Sequence, residues 1–310
     1  MSASGDLISV VIPTHNYARF LPRALDSVLA QTHSRLEIIV VDDGSTDGTD
    51  RVLAGYGARL RVLAGPQRGP SATRNVGIAA ANGDFIAVLD ADDEWRPTKL
   101  ARQLAVLAEE PHLGAVGCAV EMRTADGPLG VRFFYNPSDE RLARMRAVAL
   151  RRDWVGGSNS GALMPRRVVE LLGGYPEDLP AAEDWFMWLR VADRWPIRNV
   201  HEIMATIHFH GTGTFRNPEL MRTAQDAAHA LARATWPEVF DEETDRQLQA
   251  MIARDAGGEL CLQKEWSQAS LSYARSLFAW PRQPAVWRRL ASTTARAALK
   301  KVQSVAAAPR

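Results

Sequence analysis

Three carboxylates within four positions, Asp90, Asp92 and Asp93, follow five consecutive apolar residues, Phe85 to Leu89. A short apolar run of this kind reads as a strand buried on both faces, as inside a parallel sheet. Charges cannot follow into such a core without a large desolvation cost, so the strand emerges where the acids begin. Side chains two apart on an extended chain point the same way, which places Asp90 and Asp92 together and Ala91 opposite. Two like charges held side by side repel, and a hard divalent cation, Mg2+ or Mn2+, relieves that repulsion while recruiting substrate phosphates. An acidic turn after a strand is also common in α/β proteins, and the cluster taken alone fits that reading slightly better.

The elements around it decide the matter. Leu7 to Ile12 is a buried strand ending in the polar loop Pro13-Thr14-His15-Asn16, and Tyr17 to Ala30 has helical spacing of its apolar residues. A second strand, Leu36 to Val41, ends in Asp42-Asp43-Gly44-Ser45, whose residues suit a tight turn and an N-cap for a helix from about Asp47. A weaker strand over Arg59 to Ala64, a helix over Ser71 to Ala81, the strand before Asp90, a helix over Pro97 to Glu109 and a strand over Ala115 to Met122 continue the alternation. Repeated strand-helix-strand units predict a mostly parallel sheet flanked by helices, with ligands beyond the carboxyl ends of the strands. Thr14-His15-Asn16, Asp42-Asp43 and Asp90-Asp92 should therefore converge.

Farther on, Gly127 to Asn136 reads as loop, Ser138 to Arg151 as a basic helix, and Gly156 to Gly161 as a small-residue loop. Glu183-Asp184 open an aromatic-rich helix, Trp185 to Trp195. An extended segment finishes in His208-Phe209-His210. Both histidines point to one side, and contact with a metal or diphosphate is as open as a structural role. After about Asn217 only helical patterns remain, so we expect a catalytic domain over 1–215 and a helical region over 216–310. The last helix carries Arg288, Arg289, Arg296, Lys300 and Lys301, a face that is solvated or lies on an anionic membrane surface.

Bulk properties exclude several classes. The 310 residues carry a net charge of +1, which gives no bulk field for nucleic acid. No G-x-G-x-x-G or G-x-x-x-x-G-K-[ST] follows the first strand, which argues against dinucleotide oxidoreductases and P-loop enzymes. Cys118 and Cys261 follow no ligand spacing, and no targeting segment or membrane-spanning run is evident. A cytoplasmic protein is expected.

In their order, V-V-I-P-T-H-N, V-V-D-D-G-S-T-D-G-T, A-T-R-N-V-G, G-D-F-I-A-V-L-D-A-D-D and E-D-W-F-M-W-L-R resemble the motifs of a family-2 glycosyltransferase of GT-A fold, over about residues 7–210. The resemblance implies that Pro13 and His15 line a nucleotide base, that Asp43 accepts a hydrogen bond from a pyrimidine N–H, and that Arg74 approaches the nucleotide or its phosphates. Asp90 and Asp92 match the D-x-D motif, with Asp92 the direct ligand of Mn2+ or Mg2+; Asp84 and Asp93 are companions. Asp184 matches the catalytic base. The family inverts, and the absence of a Q-x-x-R-W motif points to transfer of a single sugar. The implied donor is a nucleotide sugar, UDP-linked, and the implied acceptor a glycan or lipid-linked hydroxyl; the C-terminal helices would supply any peripheral membrane contact. A catalytically silent nucleotide-sugar-binding scaffold and a metal-dependent nucleotidyltransferase are the alternatives. Asp184 also suits an N-cap, and Arg74 a surface helix position.

Overall fold

A computed structural model describes residues 6–134, 136–150, 158–210, 218–262 and 264–306. The chain divides into two compact units, Met1–Thr235 and Trp236–Arg310. The division falls later than the expected boundary at 215/216 because helix α8 (Pro218–Thr235) belongs to the first unit. Its Ala224, Ala228 and Ala232 are buried at helical spacing. On the same helix, His229 sets its ring edge against Trp185, 4.7 Å between centroids.

The first unit is built on a five-stranded sheet of order β3 (Arg61–Ala64), β2 (Leu36–Asp42), β1 (Ile8–Thr14), β4 (Phe85–Val88), β8 (Met164–Pro165). The first four strands run parallel and β8 antiparallel. β1 is central and its Ile8, Val10, Val11 and Ile12 have no exposed surface, as expected of a strand covered on both faces. Helices α1 (Leu21–Leu29), α2 (Thr49–Ala54) and α3 (Pro70–Ala79) make the crossovers. α1 buries Leu21, Ala24, Leu25 and Val28, one helical stripe, and leaves Leu29 at the surface. α3 reaches the sheet through Gly77, where a Cβ would lie 2.4 Å from Val11 Cγ1. Only a residue without a side chain allows that approach.

The strand over Ala115–Thr124 (β6) leaves this sheet. It joins a second, four-stranded sheet of order β5 (Glu94–Trp95), β9 (Ile197–His208), β6, β7 (Gly127–Arg132). β6 lies parallel to β9, and a bridge between Val116 and Leu163 links it to the residues that lead into β8. β7 occupies the stretch expected to be loop. It is an edge strand, and Pro128 sits beside a register shift, the positions where a sheet tolerates proline. Helices α4 (Lys99–Glu109), α5 (Arg141–Ala149), α6 (Arg166–Leu172) and α7 (Glu183–Arg194) complete the layers. α5 falls within the expected basic helix, whose Arg151 lies outside the described residues, as do Gly156 and Gly157 of the small-residue loop.

The second unit contains α9 (Glu242–Leu262), α10 (Trp266–Ala279) and α11 (Pro284–Ala306). Ala269, Tyr273, Leu277 and Val286 form its core, packed on by Leu260, Cys261 and Leu290. No helix among the described residues is long and apolar enough to cross a membrane.

Candidate active site

The carboxyl ends of β1, β2 and β4 bring the expected residues to one edge of the sheet. Thr14 pairs with Asp42 at the ends of their strands, and Pro13 with Val41. Asn16 adopts a left-handed backbone, φ 59°, which its amide group makes tolerable. The side-chain carbonyl of Asn16 accepts from Thr46 N–H at 2.7 Å, tying the β1 loop to the β2 loop. His15 is exposed and donates from Nδ1 to the carbonyl of Asp43 at 2.9 Å. Asp43 is buried, and its Oδ1 accepts from Gln67 N–H at 2.7 Å. Gly65 makes room for that carboxylate: a Cβ there would lie 2.3 Å from Asp43 Oδ1.

At β4 the chain leaves the core as its sequence demands. Leu89 is fully buried, whereas the Asp90 and Asp92 side chains keep about a quarter and a fifth of their surface. Burial, and then the neighbouring Asp90 charge, raises the Asp92 pKa, although His210 opposes the rise. His210 Nε2 lies 2.8 Å from Asp92 Oδ2. The imidazole stacks on Phe20 at 4.2 Å, and Tyr17 approaches edge-on at 5.7 Å. Burial and the charges of Asp92, Asp90 and Asp93 push the Tyr17 hydroxyl upward, a second sign of concentrated negative potential. Arg23 of α1 donates to the Asp92 carbonyl.

Asp93 is buried and serves as a clasp. One oxygen accepts from Ser160 Oγ at 2.6 Å, the other from His208 N–H at 3.0 Å. The same Ser160 hydroxyl accepts from Asp90 N–H at 3.1 Å. The carboxylate loop, the Asn159–Gly161 turn and the end of β9 are thus fastened at one point. Trp95 Nε1 and Gln103 hold that turn through the carbonyls of Ser160 and Gly161. Lys99, fully buried, lies 4.0 Å from the Trp95 ring centroid and donates to Gln103 Oε1 at 2.9 Å.

Arg74 is not at the surface. The residue is 5% exposed, and its guanidinium bridges Asp90 Oδ1 (2.9 Å) and Glu183 Oε1 (2.6 Å). Burial alone would oppose its charge, but the two carboxylates overcome that and raise its pKa. Asp184 follows Glu183 in the first turn of α7, where the helix dipole favours an anion. Ala182 before them has φ 60°, a strained setting for a residue with a Cβ.

Asp84 does not join the group. It precedes β4, where its N–H donates to the Leu7 carbonyl, and so lies at the amino end of the sheet. The two histidines separate in role: His208 Nε2 lies 3.3 Å from Glu94, and His210 alone reaches the D-x-D pair. Tyr17, Arg23 and Ser160 escaped sequence reasoning. A lone tyrosine, a helix arginine and a serine in a small-residue loop give no local signal of contacts 67 to 75 positions away.

A parallel α/β sheet with carboxylates at its strand ends and a second mixed sheet beside it is the GT-A architecture, and solved structures similar to this chain share it. S. aureus TarS 1–349 in complex with UDP-GlcNAc superimposes with TM-score 0.61 at 19% identity, covering 88% of this chain and 81% of that one. A mannosyltransferase from Pyrobaculum calidifontis in complex with GDP-Man and Mn2+ gives 0.53 at 20%, covering 97% and 88%. At such identities the likeness is one of fold. Residues 9–171 match the model of glycosyl transferase family 2, and the chain belongs to that family. An uncharacterized glycosyltransferase of Nostoc sp. is 43% identical over 113 residues, 35% of each chain. The chondroitin synthase of Pasteurella multocida is 27% identical over 211 residues, 67% of this chain but 21% of the synthase.

Proposed function

We propose that the chain transfers a single sugar from a nucleotide diphosphate donor, UDP-linked, to a hydroxyl of a glycan or glycolipid acceptor, with inversion at the anomeric carbon. The observation that carries this reading is the Arg74 bridge. One buried guanidinium joins Asp90, in the D-x-D motif, to Glu183, the residue beside Asp184. Donor-side and base-side elements 93 positions apart in sequence are thereby held as one unit.

In this reading Pro13 and His15 line the base, and Asp43 accepts its ring N–H. The Asp184 carboxylate takes the proton of the acceptor hydroxyl as that oxygen bonds to the anomeric carbon. The bond from that carbon to the diphosphate oxygen breaks on the opposite face, which inverts the centre. Asp92, with Asp90 and His210, would hold a divalent ion, Mn2+ or Mg2+. Among the described residues no three His, Cys, Asp or Glu side chains already enclose a cation site. Two carboxylates and an imidazole still fit such an ion, because Mg2+-like ions take one or two protein carboxylates and complete their shell with phosphate oxygens and water. Burial, and then the Asp90 charge, raise the Asp92 pKa, and a bound cation would offset both. When bound, the ion neutralises charge on the departing diphosphate.

Asp184→Asn tests the assignment of the base. Donor affinity should stay within about threefold of wild type while sugar transfer falls by two orders of magnitude or more, the usual worth of a general base. Retained transfer would assign the base elsewhere.

A further inference from the structure

We propose that the turn between α10 and α11, with the adjoining face of α10, is a docking surface for an anionic phospholipid bilayer. The inference is independent of the donor and base assignments. Phe278 is 92% exposed, and Leu271, one helical repeat earlier on the same face of α10, is 55% exposed. Across the turn Trp287 is 53% exposed, its indole N–H held 3.1 Å from the Pro281 carbonyl. Large apolar groups presented this openly mark an interaction surface. Trp and Phe beside basic residues suit the boundary between headgroups and acyl chains.

The charge around these groups chooses the occupant. Arg275, Arg282 and Arg288 are exposed and form no ion pair among the described residues. From Lys264 to Arg310 the sequence has nine Lys or Arg and one acid, Glu265, although the whole chain is nearly neutral at +1. Basic charge is therefore segregated onto this helical pair, and the rest of the chain is net acidic. A second copy docking through the same face would set arginine against arginine across a two-fold axis, a repulsive arrangement. A leaflet of anionic lipid supplies both the apolar layer for Phe278, Leu271 and Trp287 and the phosphates for the arginines. A protein that works on lipid-linked acceptors would gain by being held there.

Sedimentation of the full chain with vesicles tests this, using pure phosphatidylcholine against phosphatidylcholine with about 30% phosphatidylglycerol, whose anionic surface attracts basic side chains. Binding to the anionic vesicles should be at least tenfold tighter and should weaken as salt rises. Phe278→Ser with Trp287→Ser should reduce it at least tenfold, with the thermal transition unchanged. Arg275→Gln with Arg282→Gln and Arg288→Gln should reduce it on the order of a hundredfold, about fivefold for each charge. Equal binding to both vesicles, or binding that survives both sets of substitutions, would overturn the proposal. So would a concentration-dependent dimer abolished by Phe278→Ser with Trp287→Ser, since the surface would then belong to a second copy.

Discussion

Arg74→Met removes a buried cation from between two carboxylates and offers the sharpest test of how the site is held. The Glu183 side chain keeps 11% of its surface and Asp90 26%, so Glu183 bears most of the loss. Breaking a buried pair from one side costs about 3–5 kcal/mol, because the remaining charge has neither water nor partner. For a cooperative unit of this size, each kcal/mol lowers Tm by about 2–4 °C, so the variant should melt roughly 6–20 °C below wild type. The excess comes from the stranded carboxylate, so Glu183→Gln in the Arg74→Met background should recover part of it, whereas Glu183→Gln alone should destabilise. That sign reversal is the signature of coupling within one network. Thermal melts of the four proteins at pH 7, followed by circular dichroism, provide the cycle. An Arg74→Met variant within 2 °C of wild type, or additive effects in the double variant, would show that Arg74 does not hold the two carboxylates as one network.

Two further outcomes follow from the clasp beneath the site. Ser160→Ala leaves Asp93 with one donor fewer and the Asp90 N–H without its acceptor. Mn2+ affinity in the presence of UDP should fall about 10–100-fold, as when groups behind metal ligands are lost; a lower Tm with unchanged Mn2+ affinity would make Ser160 merely structural. Burial brings the Lys99 pKa down to about 8, with a small opposing effect from Cys118. Between that value and the unfolded value near 10.5 the unfolded chain holds a proton that the folded chain has released, so stability rises with pH through this window. Relative to Lys99→Met, wild type should gain about 1.4 kcal/mol per pH unit there in urea unfolding; a difference that is flat with pH would remove Lys99 as the cause.

How much of this was legible depended on whether the signal was local. The run from Phe85 to Leu89 followed by acids announced a buried strand and its exit, since desolvation acts on each residue in place. The helical stripe of α1 was equally plain, because its spacing reports the burial of Leu21, Leu25 and Val28. Which sheet a strand joins is not local. Ala115–Thr124 reads like its predecessors but pairs with β9, some 80 positions later. β7 was hidden by glycine and proline, whose cost at an edge is small. Asp84 shows the limit of composition: its carboxylate resembles the others, but strand direction puts it at the opposite end of the sheet. The spacing of His208 and His210 put both on one side, while only the register of β9 beside Glu94-Trp95 determined that His210 meets Asp92.

Calorimetric titration of a panel of nucleotide sugars with Mn2+, with Mg2+ and with EDTA, on wild type and Asp92→Ala, tests whether a divalent ion at Asp92 completes a nucleotide-sugar site. One donor should bind with metal, at least tenfold more weakly in EDTA, and Asp92→Ala should abolish the metal dependence. Equal affinity with and without metal in wild type, or metal dependence that survives Asp92→Ala, would contradict it.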